Sequence, residues 1–301
     1  MAIQHQLLQA VFHAPSASFS AGDEAMTLSL VQEYGIAPDQ CAAVKRLFKK
    51  PLADLRSAIS KARAFHRERT FQGIGQTRLL VAGEQESYSA GMNVLIQIIK
   101  ASANRFISDY PQHIESEKTL KGTAFRADDY PSQSKLAELF QASTVLMPMP
   151  EPGDFFKSLA GDHAQKLKEE YEAALKTTEE NVRKQVMGKM LKLIAETAES
   201  LASDGPIVDN ENKKGPLAKL REYLDRAPML NITGDAQITS LIEECRQKLD
   251  VSTEALRGSE FYRKKTASAA HEIASKFGQI GARKLAVDSA APAEAPAAQA
   301  A

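Results

Sequence analysis

Tryptophan is absent, cysteine occurs twice in 301 residues, and aromatic side chains make up 6% of the chain. Each shortage removes a class of function. So few aromatics argue against an extended surface on which nucleic-acid bases could stack. Cys41 and Cys245 stand far apart and outside any CxxC or metal-ligand spacing, so they read as reduced thiols. Net charge is lacking as well: 38 Lys and Arg offset 38 Asp and Glu. No global field then draws the chain to nucleic acid or to a membrane, and any such binding must be local. No apolar run approaches the roughly 18 residues that span a bilayer, and residues 1–20 lack the basic and apolar regions of a secretory signal. The expectation is a cytoplasmic protein, in a bacterial host, with no membrane partner.

Catalytic motifs are equally scarce. GxxxxGK[ST] and GxSxG do not occur, and the two glycines of FQGIGQ, Gly73 and Gly75, read as a turn because the third glycine of a dinucleotide site is missing. His5, His13, His66, His113, His163 and His271 share no helix-face spacing with one another or with a cysteine, so no metal site and no cofactor is expected. Asp128, Asp129 and Asp154 are a candidate carboxylate cluster. The competing reading of Asp128 and Asp129 is that they precede and cap a helix that starts after Pro131. These observations favour a chain that is not an enzyme.

What is present is helical periodicity on both sides of a different kind of text. Residues 124–156, AFRADDYPSQSKLAELFQASTVLMPMPEPGDFF, hold Pro131, Pro148, Pro150 and Pro152 and a β-prone run over 144–149. Proline removes a backbone donor and pushes its predecessor toward extended geometry, so 147–152 cannot be helix. The expected fold is mainly α, an elongated helical bundle or long helical hairpins with a short Pro-rich, β-prone central connector. Four regions follow: an N-terminal helical arm (1–122), the connector (123–157), a C-terminal long-helix bundle (158–286) and a disordered Ala/Pro tail (287–301).

Within the first arm, residues 7–12 suit an edge strand or a short helix. Ser20 is the capping candidate for a helix ending at Gly35, and Asp39 opens a second in which Val44, Leu47 and Phe48 share a face. Pro51 sits where another begins; its stripe of Leu52, Leu55, Ile59, Ala62 and Phe65 opposes Arg56, Lys61, Arg63, Arg67 and Arg69. A long helix from near Glu84 is interrupted at Pro111, and the two long helices suggest an antiparallel hairpin. In the second half, period holds from about Asp162 to Ser203, through Leu167, Tyr171, Val182, Val186, Met190 and Leu201. A helix of about 60 Å needs a partner, because one stripe cannot bury itself. Candidate partners are the helix from Pro216 to Pro228, the helix after the turn NITGD, capped by Thr233 or Asp235, and a last helix from about Ser259 to Leu285. Whether the long helix pairs within the chain or across a two-fold axis is open at this point.

The most suggestive charge feature is the run from residue 45 to 69, where basic residues far outnumber Asp54 and Glu68. Lys45, Arg46, Lys49, Lys50, Arg56, Lys61, Arg63, Arg67 and Arg69 form a candidate face for nucleic acid or for an acidic partner. A solvated face explains the same run.

The order of several unusual blocks resembles an uncharacterised helical family, a domain of unknown function carried mainly by bacteriophages, integrative elements and some bacteria. The matching stretches are residues 65–80, FRADDYPS, VLMPMPEPGDF and the LNITGD turn with its amphipathic helix, together spanning most of residues 45–250. Where relatives tend to carry a tryptophan near the glycine turn, this chain reads FQGIGQTRLL. The resemblance implies genes for MoxR-type AAA+ ATPases and von Willebrand factor A proteins as neighbours, and hence an adaptor or substrate of a remodelling ATPase. Two functions are therefore expected: a non-enzymatic adaptor of a phage or mobile element, or a nucleic-acid-binding accessory protein that uses the basic face.

Overall fold

A computed structural model describes residues 7–73, 77–149, 162–203, 207, 209–210 and 213–289. The chain is mainly α and divides into two compact units, Met1–Glu151 and Pro152–Ala301.

The first unit is not a purely helical arm. LLQAVFH forms β1 (Leu7–His13), and pairing on both sides decides for strand over helix: Leu7 faces Val81 of β5 (Arg78–Val81) and Val11 faces Val145 of β6 (Ser143–Pro148). With β4 (Phe71–Gln72) these make an antiparallel sheet in the order β4-β5-β1-β6. The β-prone run of the expected connector is thus the edge strand β6. Leu136, midway along α5 (Gln133–Leu139), and the later Phe140 and Ala142 are buried in the core of the first unit, and residues 123–149 lie in that unit. The expected connector residues 150–157 and the tail residues 290–301 fall outside the described residues.

Against the sheet lie α2 (Ala53–Arg69) and α3 (Gln85–Ser108). Leu55, Ala58, Ile59, Ala62 and His66 form the buried stripe of α2. The pair is antiparallel: Asp54 lies 4.0 Å from Arg105 at one end and Arg69 3.7 Å from Glu84 at the other. Gly91 permits the close approach, since a Cβ there would stand 2.3 Å from Cζ of Phe65. Pro111 sits in the first turn of α4 (Tyr110–Lys121), where its missing N–H breaks no helical bond.

Asp39 opens only a 3-10 turn, Pro38–Gln40, and the helix expected through Val44, Leu47 and Phe48 is replaced by β3 (Val44–Leu47), which pairs with β2 (Phe19–Gly22). One turn of i, i+3, i+4 spacing does not separate helix from strand, and partners decide. Leu47 faces Phe19 in the ladder. Phe48 then turns the chain with a φ of 53°, a region that bulky side chains avoid. Two things hold it there. Its ring is wholly buried against the edges of Phe106 and Tyr130, and its N–H donates to Oε1 of the buried Glu117 at 3.1 Å. Tyr130 and Lys121 also approach Oε2 of Glu117, at 3.3 and 3.5 Å. The short helix α1 (Glu24–Tyr34), between β2 and β3, is capped by Asp23 rather than Ser20 and ends at Gly35 in the left-handed region.

The second unit is a helical bundle. α6 (Asp162–Ala202) packs against α7 (Pro216–Leu230) and α10 (Glu260–Ser289), and α8 (Ala236–Leu249) packs against α7 and α10. These supply the partners the long helix requires. Burial on α6 begins at Leu175 and continues through Val182, Val186, Met190, Ile194 and Leu201, whereas Leu167 is exposed and Tyr171 half-buried. Thr178 and Thr197, buried polar positions in this stripe, donate to the carbonyls of Ala174 and Leu193 in their own helix. α7 runs through Pro228 to Leu230, two residues past the expected stop. Asn231 and Gly234, at φ 62°, shape the turn that follows; Asp235, not Thr233, caps α8. A short α9 (Thr253–Gly258) precedes α10, and a two-residue hairpin pairs β7 (Asp209–Asn210) with β8 (Lys213–Lys214).

Candidate basic interface

The basic residues from Lys45 to Arg69 do not share one face. Lys45 is tied into the fold: its Nζ donates to the carbonyl of Ala124 at 2.8 Å and lies 2.6 Å from Oδ2 of Asp129. Arg69 is engaged as well, 3.7 Å from the buried Glu84 and over the ring of Phe65. These two leave the candidate face, because pairing brings distant carboxylates to them. Arg46 is exposed on the β2–β3 ladder, opposite Ser20, and Lys50 is exposed in the turn before α2.

On α2 itself, about 100° per residue puts Arg56, Arg63 and Arg67 within an arc of about 40° and Lys61 on the far side. Lys61 shares that side with Asp54 and Glu68, so it lies on a mixed-charge surface. The arginine flank is extended at both ends by hydrogen bonds. Arg56 Nη2 donates to the carbonyl of Lys49, bringing that residue to the start of the flank. At the other end Arg78 Nη2 donates to the carbonyls of Arg67, 3.0 Å, and Thr70, 2.6 Å. Arg78 had no place in the sequence-level set. It follows the glycine turn, and the β4–β5 hairpin brings it to the end of α2, where it binds the last carbonyls of the helix. Its sequence signal is weak, a single basic residue at the start of an apolar triplet.

The positive charge at this end acts on a buried pair. His66 Nδ1 is 2.7 Å from the hydroxyl of Tyr88, and both are buried between α2 and α3. Burial first, then Arg78 and Arg67, hold the imidazole down at about 4, and burial lifts the Tyr88 phenol to about 12. Neither group is therefore positioned as a proton shuttle near neutral pH. Burial, with Arg67 adding to it, also lowers Arg78.

The carboxylate cluster does not assemble among the described residues. Asp128 is exposed in the turn Ala127–Asp129, Asp129 is paired with Lys45, and Asp154 lies outside the described residues. The helix after Pro131 is capped by Ser132. Among the described residues no group of three or more His, Cys, Asp or Glu is placed to hold a metal ion, and no helix is long and apolar enough to cross a membrane.

A second surface of the same unit is apolar. α1 buries none of its residues. Met26 and Tyr34 are 53% and 65% exposed, and half-buried Thr27, Leu30 and Val31 lie beside them on the helix. Val44, opposite Gly22 in the adjoining ladder, is 60% exposed. No family model, no curated protein and no solved structure matches the chain.

Proposed function

We propose that the chain is a non-enzymatic helical adaptor of a bacteriophage or other mobile element, which docks a protein partner on α1. One observation carries this reading: an eleven-residue helix rich in apolar side chains, none of which is fully buried against its own unit. An apolar stripe at i, i+4 and i+8, here Met26, Leu30 and Tyr34, is the pattern by which one helix lies against another. The rim selects the partner's charge. Residues 22–40 contain Asp23, Glu24, Glu33 and Asp39 and no Lys, Arg or His; Arg126 of the same unit lies 3.3 Å from Glu24, which leaves Asp23, Glu33 and Asp39 to set the rim. Two copies of α1 laid together would oppose acid to acid, so the fitting partner is an apolar segment with basic flanks.

The engagement of Asp129 by Lys45 and of His66 by Tyr88 supports the non-enzymatic part of the reading. The resemblance described above makes a MoxR-type AAA+ ATPase the first candidate partner. The test is biolayer interferometry of the immobilised chain with a MoxR-type ATPase from the same genome at about 200 mM salt. Binding is expected, with a loss of at least tenfold in the double variant Met26→Asp, Tyr34→Asp. Binding that the double variant leaves unchanged, or no binding by the parent chain, overturns the proposal.

A further inference from the structure

The arginine flank of α2 holds an arrangement that the adaptor reading does not use. We propose that Lys49, Arg56, Arg63, Arg67 and Arg78 form a binding track for the phosphodiester backbone of a nucleic-acid duplex, independent of the sequence bound. This inference does not rest on the adaptor reading, since α1 and the α2 flank are different surfaces.

The first argument is the lack of internal compensation. Among the described residues, Lys49, Arg63 and Arg67 meet no carboxylate at ion-pair distance, and Arg56 and Arg78 bond only neutral carbonyls and the Thr70 hydroxyl. Elsewhere in the unit Lys45, Arg69, Arg105, Lys121 and Arg126 find acids, whereas Arg46, Lys50, Lys61, Lys100 and Lys135 meet none at ion-pair distance among the described residues but are not gathered on one flank with others. Arg78 binds the backbone carbonyl of Arg67, so two like charges share this end of the flank; the carbonyls at the end of α2 offset part of the repulsion and an external anion would offset more.

Spacing is the second argument. At about 1.5 Å per residue, Arg56 to Arg63 spans about 10 Å and Arg63 to Arg67 about 6 Å, so the flank spreads its charges over a length of duplex that carries several phosphates, one charge per about 1.7 Å of axis. The residues between the arginines on this flank are Ser60 and Ala64, both small and exposed. They let a backbone approach and leave no apolar centre of the kind that protein interfaces bury, which favours phosphodiester over an acidic protein. The flank also carries no aromatic ring for an unpaired base to stack on, which favours a duplex over a single strand.

The test is fluorescence anisotropy of a labelled 20-base-pair DNA duplex with the full chain, between about 50 and 200 mM salt. Five phosphate contacts, one for each residue of the track, predict a slope near −4.5 in log K against log salt, a loss of about 500-fold over that range. The variant Lys49→Glu, Arg63→Glu, Arg67→Glu is expected to lose at least tenfold at the lower salt. All three side chains are exposed and outside the core, and circular dichroism checks the fold. A control with the same change in net charge, Lys61→Glu, Lys176→Glu, Lys184→Glu, is expected to keep most of the affinity. A slope shallower than about −1, equal losses in the two variants, or tighter binding of a polyglutamate peptide than of the duplex each overturns the proposal, the last in favour of an acidic protein partner.

Discussion

Along α6 of the second unit and around Phe48, His66 and Lys45 of the first, buried polar groups are satisfied in opposite ways. In the second, the buried threonines of α6 satisfy themselves within one turn, Thr178 on Ala174 and Thr197 on Leu193, and the rest of that stripe is apolar. In the first, polar groups are pinned across long stretches of chain: Phe48 N–H on Glu117, His66 on Tyr88, Lys45 on Asp129. Local satisfaction makes a helix insensitive to its surroundings. Long-range satisfaction makes a backbone conformation, such as the positive φ of Phe48, conditional on a side chain sixty-nine residues away.

The largest break in this contrast is expected at Glu117. Replacing it by Ala removes the acceptor of the Phe48 N–H, leaves the Tyr130 hydroxyl without this partner, and deprives Lys121 of its buried anion. Loss of one partner from such a network costs about 3 to 4 kcal/mol. Glu117→Gln keeps an acceptor for the N–H and is expected to cost less. Hydrogen exchange in increasing urea, read by mass spectrometry, compares both units in one molecule. Protection should fall around residues 44–52 and stay unchanged around 186–201. An equal fall in both would show that the units unfold together and that the contrast is not energetic.

A somewhat smaller effect, specific to the first unit, is expected with pH. His66 is held neutral in the fold down to about 4, whereas the free imidazole takes up a proton near 6.5. Above that value the group is neutral in both states and contributes no slope. As pH falls from 6.5 to 4 the unfolded chain binds a proton that the folded unit refuses, and stability drops by about 2 to 3 kcal/mol. His66→Phe abolishes this contribution, so the stability gap between parent and variant should narrow over that interval. A constant gap would mean that burial, with Arg78 and Arg67 beside it, does not hold the ring neutral.

The same contrast explains what could be read from the sequence. In the second unit the helix expected after the turn NITGD forms and buries Ile238, Leu241, Ile242, Cys245 and Leu249 at helical period, and α6 ends within a residue of expectation, because period and caps are local signals. In the first unit β3 was expected as helix, since its partner strand and the Glu117 pin are invisible in a four-residue window. The sheet that joins Leu8 to both Leu80 and Pro148 leaves no local trace of its register. For the basic face, Arg63 and Arg67 were legible as exposed charge on a helix, and Lys49 as charge in the stretch before it. Lys45 and Arg69 were not separable from them until folding supplied Asp129 and Glu84. Arg78 reaches the flank only through a hairpin.

The smallest effect sharpens the contrast from the side of the second unit. Asp235 accepts from Gln237 N–H at 2.7 Å and Ile238 N–H at 3.4 Å, and Arg183 of α6 reaches its other oxygen at 3.2 Å. Burial by itself would raise this carboxyl; the bonds from Gln237, Arg183 and Ile238 outweigh it and hold the group below its ordinary value. Asp235→Ala is expected to cost about 1 to 2 kcal/mol, mostly the cap. Asp235→Asn keeps the cap and loses only the charge on Arg183, so it should cost well under 1 kcal/mol. Because the folded group titrates lower than the unfolded one, the stabilisation is fully present above the usual carboxylate range and disappears as pH falls through the lowered value. Urea denaturation of both variants at neutral pH separates the two contributions. If Asn costs as much as Ala, the link to Arg183 dominates the cap, and the second unit too is held by a long-range polar pin.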